Sequence, residues 1–106
     1  MQAGLEVDKK IAEAIGLQEI LPDMWIRNGV PTILPKFSTT WGDMGVLVEE
    51  ARKQGIYLDI LPNETCYICE AKTISNAIIG QATKSEAPYA ACLAFLEAKE
   101  KRGIVR

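Results

Sequence analysis

Aromatic rings, one guanidinium group and several hydroxyl groups occur close together in the first half of this 106-residue chain. Rings of this kind stack on a nucleobase, and arginine together with backbone N–H groups at a helix start binds phosphate. The sequence therefore predicts a site for a nucleotide-like ligand, formed by Trp25, Arg27, Phe37, Ser38, Thr39, Thr40 and Trp41. In the alternative interpretation, the aromatic residues belong to the core and the hydroxyl groups only cap a helix.

Lys84 is a second candidate for binding an anion. The segment 80–85 runs into the last predicted helix, but it lacks the glycine before lysine and the spacing of a phosphate loop. The Lys84 ammonium group and the backbone N–H groups that open the helix can still attract a negative charge together. We include Lys84 among the predicted ligand-binding residues, with an ordinary strand-to-helix connection as the alternative.

The residue types argue against catalysis and metal binding. The chain has no histidine, which removes the commonest general base and metal ligand. Cys66 and Cys69 match the C-x-x-C pattern, but on a strand residues three apart point to opposite faces and cannot share a metal ion. With Cys92 they are expected to be free structural thiols. We predict a protein that is not an enzyme and that needs no metal and no cofactor.

Composition and charge limit the class of protein further. Apolar residues make up 48% and charged residues 25%, as in an average globular domain, and the net charge is −2. A negative chain is not expected to bind a nucleic-acid polymer through its phosphates. We also find no apolar stretch long enough for a membrane span and no export signal, so we expect a cytoplasmic protein.

Three helices are predicted, each followed by a glycine. The first covers residues 5–15 and ends at Gly16; the second begins after the capping residues 38–40 and ends at Gly55; the third begins at residues 85–88 and ends at Gly103. Thr40 and Asp43 have the spacing of a capping box. On the third helix, the predicted buried stripe consists of Tyr89, Cys92, Leu93 and Leu96, and Phe95 and several alanines widen it.

The strand predictions give an α+β fold. Strands are predicted over residues 56–61, 65–71 and 77–83, with Gly80 marking a bulge or a close approach, and a short ribbon surrounds Asn28-Gly29. Along these strands both the odd and the even positions are apolar, so neither face of the sheet is expected to contact water. We therefore expect helices on both faces of the sheet. The prediction is one domain, 1–106, with a small antiparallel sheet of three to four strands sandwiched between helices in α/β/α layers and an irregular loop at 17–37. Open sheet edges predict a homo-oligomer.

The order of these elements resembles the phage ABA sandwich domain family of small phage and prophage proteins. The resemblance rests on four segments: IAEAIG at 11–16, LPKFSTTW at 34–41, VLVEEARKQG at 46–55 and APYAACLAFLEA at 87–98. It implies a helix–sheet–helix sandwich and a phage origin, and it carries no activity and no functional residues.

Two functions follow as hypotheses. The first is a non-enzymatic phage or prophage accessory protein that antagonises host defence by binding and sequestering a small nucleotide-type signal. The second is a protein–protein interaction module that binds and inhibits a host protein and has no small ligand.

Overall fold

The structure of the protein, a computed structural model, describes residues 2–21 and 24–105, with side chains up to Arg102. In these ranges the chain forms three helices and two three-stranded antiparallel sheets, which confirms the predicted α+β fold. The elements in chain order are α1 (Leu5–Ala14), β1 (Gln18–Leu21), β2 (Met24–Arg27), β3 (Val30–Thr32), α2 (Trp41–Lys53), β4 (Tyr57–Pro62), β5 (Tyr67–Lys72), β6 (Ile78–Lys84) and α3 (Ala87–Val105).

Two of the three predicted glycine stops are confirmed. Gly16 and Gly55 have φ of 95° and 78°, values that favour glycine, and each directly follows the last turn of a helix. Thr40 caps α2, because its hydroxyl oxygen accepts the Asp43 N–H at 3.3 Å. The third predicted stop, Gly103, is wrong, because α3 continues to Val105.

The larger sheet has the strand order β4-β5-β6, and α3 packs against one of its faces. The side of α3 that faces the core is rich in alanine, which lets helix and strand backbones approach closely. Gly80 of β6 is one place where they do so, because a Cβ added there would lie only 2.9 Å from the Ala98 backbone nitrogen. The strand register also shifts at this place, from Ala71 opposite Gly80 to Lys72 opposite Ile78. Both predicted features of Gly80 are confirmed.

The layers differ from those expected. Cys69 and Ala71 on the inner face are fully buried, and α1 and α2 both contact α3. On the outer face, Tyr57, Leu61 and Ile78 are 38%, 43% and 50% exposed. Because odd and even strand positions are both apolar, the sequence predicted helices on both faces of the sheet. In the described part of the chain, the helices lie on one face only.

The smaller sheet has the order β1-β2-β3 and occupies much of the segment 17–37 that was predicted as an irregular loop. The predicted ribbon is confirmed: Asn28 and Gly29 have positive φ values of 51° and 79°, and Pro31 lies on the edge strand β3. β1 was not predicted, because its sequence QEIL does not alternate between polar and apolar residues. All four of its residues are exposed in the structure.

Candidate functional site

A cavity of about 480 Å³ lies where β6 ends and α3 begins. It brings together Ser38, Thr39 and Lys84, three of the predicted ligand-binding residues, from two distant parts of the sequence. The described residues that line it are Gln2, Ala3, Ser38, Thr39, Lys84, Ser85, Glu86 and Tyr89. The antiparallel sheet carries Lys84 to the same end of the molecule as the loop before α2, which periodicity along the sequence does not reveal.

Aromatic rings extend from this cavity along the end of the sheet. The Lys84 Nζ lies 5.4 Å from the centroid of the Tyr89 ring, in a cation–π contact. Lys84 is also paired in register with Tyr67 of β5, whose ring makes an edge-to-face contact with Trp41 at 5.7 Å. Trp41, predicted as a ligand residue, is 54% exposed and available for stacking.

Tyr67 and Tyr89 were not predicted as site residues. Tyr67 lies on a predicted strand, but the sequence does not show that it pairs with Lys84, because that depends on the register of the two strands. Tyr89 was assigned to the buried stripe of α3. In the structure Tyr89, Leu93 and Leu96 are only half-buried, while Cys92, Phe95 and the alanines face the core. The widened stripe therefore contained the buried residues, but its expected centre at Tyr89, Leu93 and Leu96 lies at the edge of the buried surface.

The cavity contains both a positive and a negative side chain, so it favours an anion near Lys84 and not throughout. Lys84 supplies a positive charge, and the N-terminal end of α3 adds the positive end of the helix dipole. Glu86 lines the same cavity with the opposite charge. Thr39 and Ser85 add hydroxyl groups that donate or accept hydrogen bonds. The arrangement suits a ligand that has a compact negative group and a ring.

Ser38 has a structural role at the base of this cavity. Its backbone N–H and its hydroxyl both donate to Oδ1 of Asp8, at 2.9 and 2.7 Å, and its Oγ accepts the Gly4 N–H at 2.8 Å. Asp8 is itself only 4% exposed, although it is a charged residue on a surface helix. The Asp8–Ser38 contact therefore holds the start of α1 against the loop that precedes α2.

The other predicted site residues lie elsewhere. Phe37 is fully buried and Trp25 is 2% exposed, so both belong to the core. The Arg27 guanidinium donates to the carboxylate of Glu50 and is an ion-pair partner rather than part of the Lys84 cavity. Thr40 serves as the cap of α2, as its alternative interpretation stated, and its hydroxyl donates to the Lys36 carbonyl at 3.2 Å. Proximity in sequence to Ser38 thus did not bring Phe37 or Thr40 into the cavity.

The described residues contain no group of three or more side chains that could hold a metal ion. Over the same ranges, no helix has the length and apolar character needed to cross a membrane.

The three thiols differ in environment. Cys69 and Cys92 are fully buried, and Cys66 is half-buried. Burial, followed by the nearby carboxylates of Asp59 and Glu70, raises the pKa of Cys69 to about 12. Burial is also the main cause that raises the pKa of Cys92, with Asp8 and Cys69 contributing.

We predict that iodoacetamide at pH 8 alkylates Cys66 alone in the native protein, since thiolates are the reactive form and the buried thiols stay protonated. Intact-mass spectrometry should show one adduct on the native chain and three adducts after unfolding in guanidinium chloride. The Cys66→Ser variant should show none when native. Two adducts on the native protein would contradict the described burial.

Comparisons with known proteins support the fold. One solved structure, the 2.0 Å crystal structure of a phage protein from Bacillus cereus ATCC 14579, superposes with a TM-score of 0.70. It shares 19% sequence identity, and the match covers 94% of each chain. No protein-family model matches the sequence. No curated protein matches it either.

Proposed function

We propose that this protein binds a small anionic ligand of the nucleotide class at the Lys84 cavity and holds it without chemical conversion. The observation that carries the proposal is the convergence of Lys84, Thr39 and Ser85 in one cavity at the start of α3, beside exposed aromatic surface. A volume of about 480 Å³ lies within the range of ordinary small-molecule sites.

Each group has a distinct task in this proposal. Lys84 binds the phosphate, and in doing so it exchanges part of its contact with the Tyr89 ring for a charge-assisted hydrogen bond. The hydroxyl groups of Thr39 and Ser85 orient the ligand. The exposed ring of Trp41, supported edge-on by Tyr67, is the platform for a base. In this proposal the protein binds the ligand without converting it, which is consistent with a chain that lacks histidine, the commonest general base.

We further propose that the chain is a phage or prophage accessory protein of the phage ABA sandwich family. The phage protein of similar fold and the four resembling segments support this origin. A binding protein without catalysis suits the antagonism of host defence, in which it sequesters a nucleotide signal inside the infected cell. Capture of such a signal requires only affinity and abundance.

The Lys84→Gln variant tests the site. Loss of a charge-assisted contact of about 1.5–3 kcal/mol weakens phosphate-ligand binding by about tenfold or more. Isothermal titration with ATP, ADP-ribose and cyclic dinucleotides measures the affinity, and thermal shift gives a first screen. Lys10→Gln is the matched control, because Lys10 is exposed on α1 and contributes to none of the described cavities that contain Lys84.

If none of these nucleotides raises the melting temperature of the native protein, the nucleotide proposal is wrong. If they bind and the two lysine variants bind equally well, the ligand lies at another place on the molecule. A loss confined to Lys84→Gln supports the cavity.

A protein–protein interaction module is the second candidate function. It is favoured by the half-exposed apolar groups of Tyr57, Leu61 and Ile78 on the uncovered sheet face. The same face and the open sheet edges suit a homo-oligomer. Native mass spectrometry of protein purified from infected cells separates the candidates: a retained nucleotide mass supports sequestration, and a ligand-free complex with a host protein supports the module.

A further inference from the structure

The indole N–H of Trp25 is the starting point for a second binding surface. Trp25 is 2% exposed, and its Nε1 has no hydrogen-bond acceptor among the described residues. A buried donor without an acceptor costs about 1–3 kcal/mol. Buried indole groups normally have an acceptor, so this donor is suited to one supplied by a binding partner.

Trp25 also lines a cavity of about 560 Å³ beside β1. Its lining consists of Glu13, Leu17, Gln18, Glu19, Ile20 and Trp25. Among the residues that the structure describes, two carboxylates and no basic side chain line it, so the cavity attracts a positive charge. Glu19 is paired directly opposite Trp25, which places the two side chains on the same face of the small sheet.

The same place offers a backbone edge. β1 is the end strand of the order β1-β2-β3, and all four of its residues are exposed. Within the described ranges no strand pairs with its outer side, so it can accept an added strand through main-chain hydrogen bonds. A strand added there would place one row of its side chains on the sheet face that carries Glu19, beside the cavity that Glu13 also lines.

We propose that β1 and the Trp25 cavity bind an extended peptide segment that carries basic side chains. The peptide backbone pairs with β1, a peptide carbonyl accepts the Trp25 indole N–H, and lysine or arginine side chains meet Glu13 and Glu19. The surface is separate from the Lys84 cavity, since the two linings share no residue. It thus allows a protein contact beside a bound small ligand.

The test uses a capped hexapeptide of alternating valine and lysine as the probe, with the valine–glutamate peptide for comparison. The readout is the ¹⁵N–¹H resonance of the Trp25 indole, which the Trp41→Phe variant assigns by removing the other indole signal. Only the basic peptide should shift the Trp25 resonance. The Glu13→Gln/Glu19→Gln double variant should weaken the affinity by about tenfold or more. Glu6→Gln, an exposed change on α1, is the control.

Three results would overturn the proposal. In the first, the basic peptide leaves the Trp25 resonance unchanged. In the second, the acidic and basic peptides bind equally. In the third, a basic peptide with every backbone nitrogen methylated binds as well as the original, so that the surface attracts positive charge without pairing a strand. None of these results bears on nucleotide binding at Lys84.

Discussion

The Gly80→Ala variant should lose at least about 3 kcal/mol of unfolding free energy, and the melting temperature should fall by about 12 °C or more. An added Cβ would overlap the Ala94 carbonyl oxygen and would lie 2.9 Å from the Ala98 nitrogen and 3.2 Å from the Ala94 carbonyl carbon. All three atoms belong to the backbone of α3, which cannot yield as a flexible side chain does. The helix must therefore move away from β6, and the inner face of the sheet loses its close packing.

Gly45→Ala is the matched control for this experiment. Gly45 lies in the middle of α2, is exposed, and has no atom within 4 Å of an added Cβ. Alanine should therefore stabilise the helix by about 0.5–1 kcal/mol. Thermal and urea unfolding followed by circular dichroism measure both variants. A Gly80→Ala protein that melts within a few degrees of the parent would show that α3 does not pack so closely against β6.

The Asp8→Ala variant should lose about 2–3 kcal/mol of unfolding free energy, which corresponds to about 10 °C in melting temperature. The Asp8 carboxylate accepts two hydrogen bonds from Ser38, one from its backbone N–H and one from its hydroxyl. Ser38 is 1% exposed, so water does not readily replace the lost acceptor. The start of α1 and the loop before α2 should separate together.

Two further variants show whether the loss arises from these hydrogen bonds. Asp8→Asn keeps an acceptor oxygen for Ser38 and should lose less stability than Asp8→Ala. Glu6→Ala changes an exposed carboxylate in the first turn of the same helix and should have an effect within about 0.5 kcal/mol. If Asp8→Ala is as stable as Glu6→Ala, the Asp8–Ser38 contact does not hold the two segments together.

Several elements were predictable because their signals are local. A glycine directly after an apolar-periodic segment predicted the ends of α1 and α2, and in the structure both glycines have positive φ. Thr40 predicted the start of α2. Asn28-Gly29 predicted the turn between β2 and β3 in the same way. Each signal depends on the conformation of a few neighbouring residues, which the chain carries with it into any fold.

The candidate site was predictable only in part. Lys84 was identified because it precedes a helix, and Ser38 and Thr39 because they precede another. Their convergence in one cavity depends on the packing of α3 against the sheet, and so does the presence of Tyr67 and Tyr89. Trp25 and Arg27 were grouped with this site by residue type. Packing instead places Trp25 in the core and pairs Arg27 with Glu50.

The sequence by itself determined the three helices, the strands of the larger sheet, the turn at Asn28-Gly29 and the absence of histidine. These depend on residue type and on neighbours a few positions away. Only the tertiary structure decided which sheet face is covered, why Asp8 is buried, and which polar groups share a cavity. Those properties depend on contacts between residues far apart in the sequence, such as Asp8 with Ser38, 30 positions apart, which no local pattern encodes.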